Sequence, residues 1–215
     1  LKAPAYGGVL RVCATPSLTM KWLIPRLSTF QAQHPGIDVQ LSTQARPFLD
    51  RGGDTGSDVL IRHGFMAQSD LACVHCLDDF HLPVASPRFI ERNRLAAPVD
   101  CLAHPLLKIS GGMDHWPRWF ALGKVDVPAQ LPGPVFDHQF LCMQAAMNDL
   151  GIALAPWSLL EDDIRADRLR PLFAQPQLPN AGIHALYRHD GPAAASAQVF
   201  IAWLCAQQHG LPHPG

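Results

Sequence analysis

The stretch from Val9 to Thr43, VLRVCATPSLTMKWLIPRLSTFQAQHPGIDVQLST, limits the fold more than any other. Residues 10–14 predict a strand. Thr15-Pro16-Ser17 then supplies helix-start residues, because Thr and Ser hydroxyls satisfy first-turn N–H groups and Pro suits the first positions. Leu23, Ile24, Leu27 and Phe30 recur at helical spacing. His34-Pro35-Gly36 stops that helix, since the residue before a proline avoids the helical region. Ile37, Val39 and Leu41 alternate as a second strand. The result is a βαβ unit with a helix start where the first strand ends. Such a start carries partial positive charge and donors without intrahelical partners, so by geometry it is an anion seat.

Further strands are expected at 58–62, 70–76, 81–85, 106–110, 134–136, 152–155 and 183–188. Helical turns are expected after Ser86-Pro87 through 93, and over 115–122 behind Asp114, with Trp116, Trp119 and Phe120 on one face and Gly123 at the end. Asp137 is expected to cap a helix over 138–150, Pro156 to start one running to 164, and 193–208 to form the last. Strands alternating with helices predict an α/β fold with mostly parallel sheets. The middle of the chain has its own strand–helix set, and the last strand and helix must return to the first. The expected organisation is two α/β lobes, 9–85 plus 183–208 and 86–182. Two crossover segments join them, and a ligand cleft lies at the strand ends.

Composition removes several function classes. A formal net charge of -1 over 215 residues argues against a nucleic-acid-binding surface on this chain. No apolar run approaches the roughly 20 residues of a membrane helix. The start, LKAPAYGG, has no apolar core of a signal peptide and no initiator Met, so a fragment or mature form is expected. The six cysteines are irregularly spaced and no Asn-x-Ser/Thr sequon occurs, which points to a reducing, cytoplasmic setting. Cys73-Val-His75-Cys76 invites a zinc test, but a strand would put 73 and 75 on one side and 76 on the other. These are expected to be structural thiols. His209 and His213 have helical spacing broken by Pro212. Glu161-Asp162-Asp163 reads as a solvated helix face. Neither a Gly-x-Ser-x-Gly, a Walker loop nor a Gly-x-Gly-x-x-Gly occurs, so no enzyme, cofactor or metal is expected.

Five motifs in order carry a resemblance: TPSLTMKWLIPRL, DVLIRHG, FHLPVASPRFI, HPLLKISGGMDHWPRWF, and GPVFDHQFLCMQAAMNDLGIALAPWSLL. Together they resemble the effector-binding domain of LysR-type transcriptional regulators, most nearly the branch of glycine-cleavage activators and β-lactamase regulators. The resemblance covers about residues 9–208. It implies a type 2 periplasmic-binding-protein-like fold with an effector cleft. It further implies a winged helix-turn-helix preceding this chain, with residues 1–8 left from the linker and DNA met only through that domain. It implies a homodimer or tetramer in which helix 18–33 of one subunit lies beside helix 138–150 of another. The outward face of the first helix, with Met20 and Trp22, would be the dimer surface. The alternative is a periplasmic solute-binding protein of the same fold. An upstream helix-turn-helix frame or a signal peptide would separate the two.

The site expected from this resemblance has two walls. Thr15 and Ser17 stand at the first helix start, where capping alone competes with holding a carboxylate or amide. Ser42, Thr43, Arg62 and His63 end neighbouring strands. A charged Arg at an apolar strand end needs a partner, and that partner is either a fixed acid or an effector. Ser110, His138 and Gln139 stand at the opposite wall, and His184 on the returning strand closes the pocket or is a plain strand histidine. The effector would be a small molecule, anionic or amino-acid-like.

Overall fold

The computed structural model describes residues 7–44, 56–64, 71–110 and 115–207. Asp70, Asp114, residues 1–6, and the tail with His209 and His213 lie outside them. The described chain separates into two compact units, the first built from residues up to Asp78 and again from Asn180, the second from Asp79 to Pro179.

In the first unit, strand β1 (Gly8–Ala14) leads into a helix that changes pitch twice: α1 (Pro16–Leu18), a π-helical segment (Thr19–Leu23) and α2 (Ile24–Gln33). One regular helix was the expectation. The interruption has a local cause, since Pro25 has no N–H to donate and the Ile24 N–H bonds instead to the Thr19 carbonyl. Trp22 faces the core, 1% exposed, with the Arg26 guanidinium 5.0 Å over its ring, so it does not belong to the outward face. Met20 and Ile24 are the large apolar residues left outside. Strands β2 (Ile37–Thr43), β3 (Val59–His63) and β4 (Ala72–Leu77) follow.

The second unit holds strands β5 (Phe80–Ala85), β6 (Leu106–Ile109), β7 (Val135–Phe136), β8 (Ile152–Pro156), β9 (Arg170–Pro171) and β10 (Leu178–Pro179). Its helices are α3 (Pro87–Asn93), α4 (Trp116–Leu122), α5 (Gln139–Met147) and α6 (Glu161–Arg165). The strand order is β10-β5-β8-β6-β7, with β9 also on β5. Every residue of β5 and β8 is buried, as suits central strands covered on both faces. β5 pairs with β8, β9 and β10, although 81–85 was expected in the first lobe. Trp116, Trp119 and Phe120 form the core of this unit, and the Trp119 indole N–H donates to the Pro176 carbonyl at 2.8 Å.

The chain then returns to the first unit as β11 (Ile183–Tyr187) and α7 (Ala194–Ala206). β11 inserts between β3 and β4, giving the order β2-β1-β3-β11-β4. It runs antiparallel to both neighbours, so the sheet is mixed where mostly parallel pairing was expected. Phe200 and Trp203 of α7 meet Phe30 of α2 at ring separations of 5.0 and 5.1 Å.

Three local expectations are corrected. The α5 cap position is His138, not Asp137, and it makes no side-chain capping bond; Thr15 likewise stands at its cap position without one. Asp163 is fully buried and accepts from Arg168 Nη2 at 2.7 Å, so the acidic run is not a solvated face. Cys76 and Cys205 form a disulfide across 129 residues, whereas Cys76 was expected to be a thiol.

Candidate functional site

Strands β1, β2 and β3 are parallel, so their carboxyl ends meet at one edge of the first sheet. Ala14 pairs with both Thr43 and Ile61, which brings Thr15 and Thr43 to the same edge as Arg62 and His63. β11 runs the other way and presents its amino end there, with His184 opposite Arg62 and Ile183 opposite His63. Ser42 and Thr43 alternate, so their side chains point to opposite faces of the strand. Thr15 is half-buried in extended backbone, and Ser17 is buried in the first helical turn.

Asp58, immediately before the strand that carries Arg62, accepts on its Oδ2 from the Arg11 backbone N–H at 2.8 Å. Arg62 Nε reaches the His63 carbonyl at 3.4 Å. His184 is buried and lies between Arg62 on β3 and His75 on β4. Its ring is 4.9 Å from that of His75, which is itself 3.2 Å from the Asp78 carboxylate. Burial holds the His184 imidazole below its ordinary range, and the nearby His75, Arg62 and His63 push the same way against an opposing hydrogen bond to the Gly182 backbone. The edge is therefore rich in nitrogen donors and adjoins a helix start.

The second sheet has a comparable edge. The carboxyl ends of β6, β7 and β8 point one way, and β5 presents His81 beside Pro156 at the same end. Ser110 follows β6, is exposed, and donates its backbone N–H to the Phe136 carbonyl at 2.7 Å. His138 is half-buried, with its ring 5.5 Å from Phe140. Gln139 is buried and its amide donates to the Leu154 carbonyl at 3.1 Å, which spends that donor on docking α5 to β8. Three histidines outside the expected effector site, of which His75 was weighed only for zinc, also stand near these edges. His75 is in the first unit; His81 and His115, with rings 4.7 Å apart, are in the second. Their signal is topological, because only strand order brings them to an edge. Among the described residues, no three His, Cys, Asp or Glu side chains converge as a metal set.

This pair of α/β units with ligand-type side chains at the strand ends matches a known family. The model of the LysR substrate binding domain aligns with residues 5–208. The chain belongs to that family. As a LysR substrate-binding domain it is 32% identical over 216 residues to the glycine cleavage system transcriptional activator of Escherichia coli (strain K12), covering 97% of this chain and 69% of that protein. It is 32% identical over 201 residues to the transcriptional activator AmpR of Pseudomonas aeruginosa, covering 93% of this chain and 66% of that protein. The effector domain of AmpR from P. aeruginosa superposes with a TM-score of 0.78 at 29% identity, over 92% of this chain and 93% of that one. The AmpR effector-binding domain from Citrobacter freundii, at 24% identity, shares the fold with a TM-score of 0.79 over 92% and 96%. The LysR domain thus has the expected type 2 periplasmic-binding-protein-like fold, and it is the effector domain of a LysR-type transcriptional regulator. These relatives are regulators and not enzymes, which favours the regulator over the solute-binding alternative. Among the described residues, no helix is long and apolar enough to cross a membrane.

Proposed function

We propose that the carboxyl-end edges of the two sheets are the effector-recognising surfaces of this domain, and that the effector is a small anionic or amino-acid-like molecule. The observation that carries this reading is the grouping of Arg62, His63 and His184 with the hydroxyls of Thr15, Ser17 and Thr43 at a helix start. Donors in that number suit a carboxylate, and a helix start adds to their field. Ser42 shares the strand face of Arg62 and His184, and Thr43 that of His63. On the second sheet Ser110 and His138 are the ligand groups, and Gln139 positions α5. Binding that differs between two arrangements of the domain shifts their populations, and this changes the regulator's hold on a promoter. DNA is met through a separate helix-turn-helix domain of a cytoplasmic homodimer or tetramer. Exposed Met20 and Ile24 on the first helix and Leu150 beyond α5 support the expected subunit contact.

Mass spectrometry of small molecules released from the purified chain identifies the effector, and calorimetric titration with it tests the site. Ser17→Ala and His138→Ala are each expected to weaken binding about tenfold, the scale of one lost hydrogen bond to a charged group. Unchanged affinity in both variants would sink the assignment.

A further inference from the structure

We propose that Cys76 and Cys205 are a reversible thiol–disulfide pair whose redox state sets the position of His75 and His184 at the first unit's effector edge. The inference rests on the reading of that edge as effector-recognising.

Cys76 occupies an unusual place in β4. Ile183 pairs with Leu77 and His184 pairs with His75, so two steps of β4 oppose one step of β11 and Cys76 is the extra residue of a β-bulge. Bulges re-aim side chains and recur beside functional sites. Here the bulge brings Cys76 within bonding reach of Cys205 in the last turn of α7, with the two Cα atoms 4.1 Å apart. The residue before the bulge is His75, whose ring touches His184 and whose Nε2 meets Asp78. A cross-link at the bulge therefore fixes the backbone on which His75 stands. The groups facing this histidine pair are Asp78, Arg62 and His63.

Both redox states have somewhere to put their sulfurs. Cys205 Sγ lies 4.0 Å from the His75 carbonyl and Cys76 Sγ 3.8 Å from the Val74 carbonyl, so each thiol has a backbone acceptor close by once the S–S bond opens and the sulfurs move apart. Both residues are partly exposed, which lets a small thiol reach them. The other four cysteines are unpaired, and Cys13, Cys101 and Cys142 are buried. Burial pushes the Cys101 and Cys142 thiols up to about 12, so they hold no nucleophilic thiolate near neutrality.

The oxidant is a small disulfide. One cysteine thiolate attacks it, forms a mixed disulfide and expels one small thiolate. The second cysteine, as thiolate, attacks the protein sulfur of that mixed disulfide and expels the other. Two protein thiols lose two electrons and two protons, and one small disulfide becomes two thiols.

The test equilibrates the chain in graded glutathione buffers, traps thiols by alkylation and reads cysteine peptides by mass. In parallel, NMR follows the imidazole resonances of His75 and His184 through a pH titration. The expected result is one redox transition, confined to Cys76 and Cys205. With it, the His75 and His184 ring resonances move and the midpoint of the His184 titration shifts by about 0.5 pH, the size of one altered neighbour. Cys205→Ser should fix the reduced histidine pattern at every poise, and Cys73→Ser should keep the response. Reduction of the unaltered chain supplies the same comparison if Cys205→Ser folds poorly. Full alkylation of both cysteines at every poise overturns the pair. A pair that forms while the histidine titrations stay fixed overturns its link to the edge. No readout uses an effector, so failure here is distinct from failure of the ligand titration.

Discussion

At the scale of single residues, His184 carries a pH dependence with a definite sign. Its folded imidazole is held below the ordinary range by burial first, with the nearby His75, Arg62 and His63 pushing the same way. The unfolded chain takes up that proton as pH falls below about 6.5, so the folded state loses stability from there down through the folded value. Thermal melts at about pH 5 and about pH 7.5 should differ less in His184→Gln than in the unaltered chain, and an equal gap would clear His184 as the source. Gly182 sets a second prediction. Its φ of +69° is a left-handed conformation, and a Cβ there would sit 2.8 Å from His75 Nε2 and press on the Leu77 carbonyl oxygen. Gly182→Ala is expected to cost about 1–3 kcal/mol in a urea titration, because neither the backbone nor the carbonyl can give way cheaply. A loss within a few tenths of a kcal/mol would show that the end of β4 yields more easily than this packing implies.

Elements show which signals are local. Ser86 was legible as a helix start because its capping partner is three residues away: its Oγ accepts the Phe89 N–H at 3.0 Å, while its hydroxyl donates to the distant Asp149 carboxylate. Ser86→Ala should therefore lower stability by about 1 kcal/mol, read as a lower urea midpoint with an unchanged slope. The start of α5 was misplaced by one residue because long-range docking decides it. Gln139 reaches the Leu154 carbonyl, and His138 stays extended in front of it. The π-helical segment had a visible cause in Pro25, but helical spacing of Leu23, Leu27 and Phe30 survives the change of pitch and hid it. Much of the α/β pattern was thus readable from periodicity and punctuation. The opposite wall of the expected site, His138 and Gln139, was proposed only through the family motifs. His75, His81 and His115 were not readable as edge residues, since a strand end becomes a site edge only once its sheet neighbours are known. The partner of Cys76 was likewise hidden, because spacing does not encode pairing across 129 residues.

At the scale of the whole chain, one unit is continuous in sequence and the other is not. Residues 79–179 hold every strand of the second sheet, while the first sheet needs β11 to join β3 to β4. A fragment of residues 79–179 is expected to give a cooperative urea transition by circular dichroism, and a fragment ending at Asp78 is not. A sigmoidal transition in the shorter piece would mean that β4 has another way to dock. The insertion of β11 also bears on how the protein is made. Leu77 ends β4 and Ile183 begins β11, so more than a hundred residues leave the ribosome between two strands that must lie side by side. At about 5–20 residues per second, β4 waits about 5–20 s without its sheet partner β11 and β3 waits with one side open. During that interval the nascent chain offers unpaired backbone to any strand that passes. A cell producing this domain at high level should need holding chaperones for its first eighty residues more than for the hundred that follow.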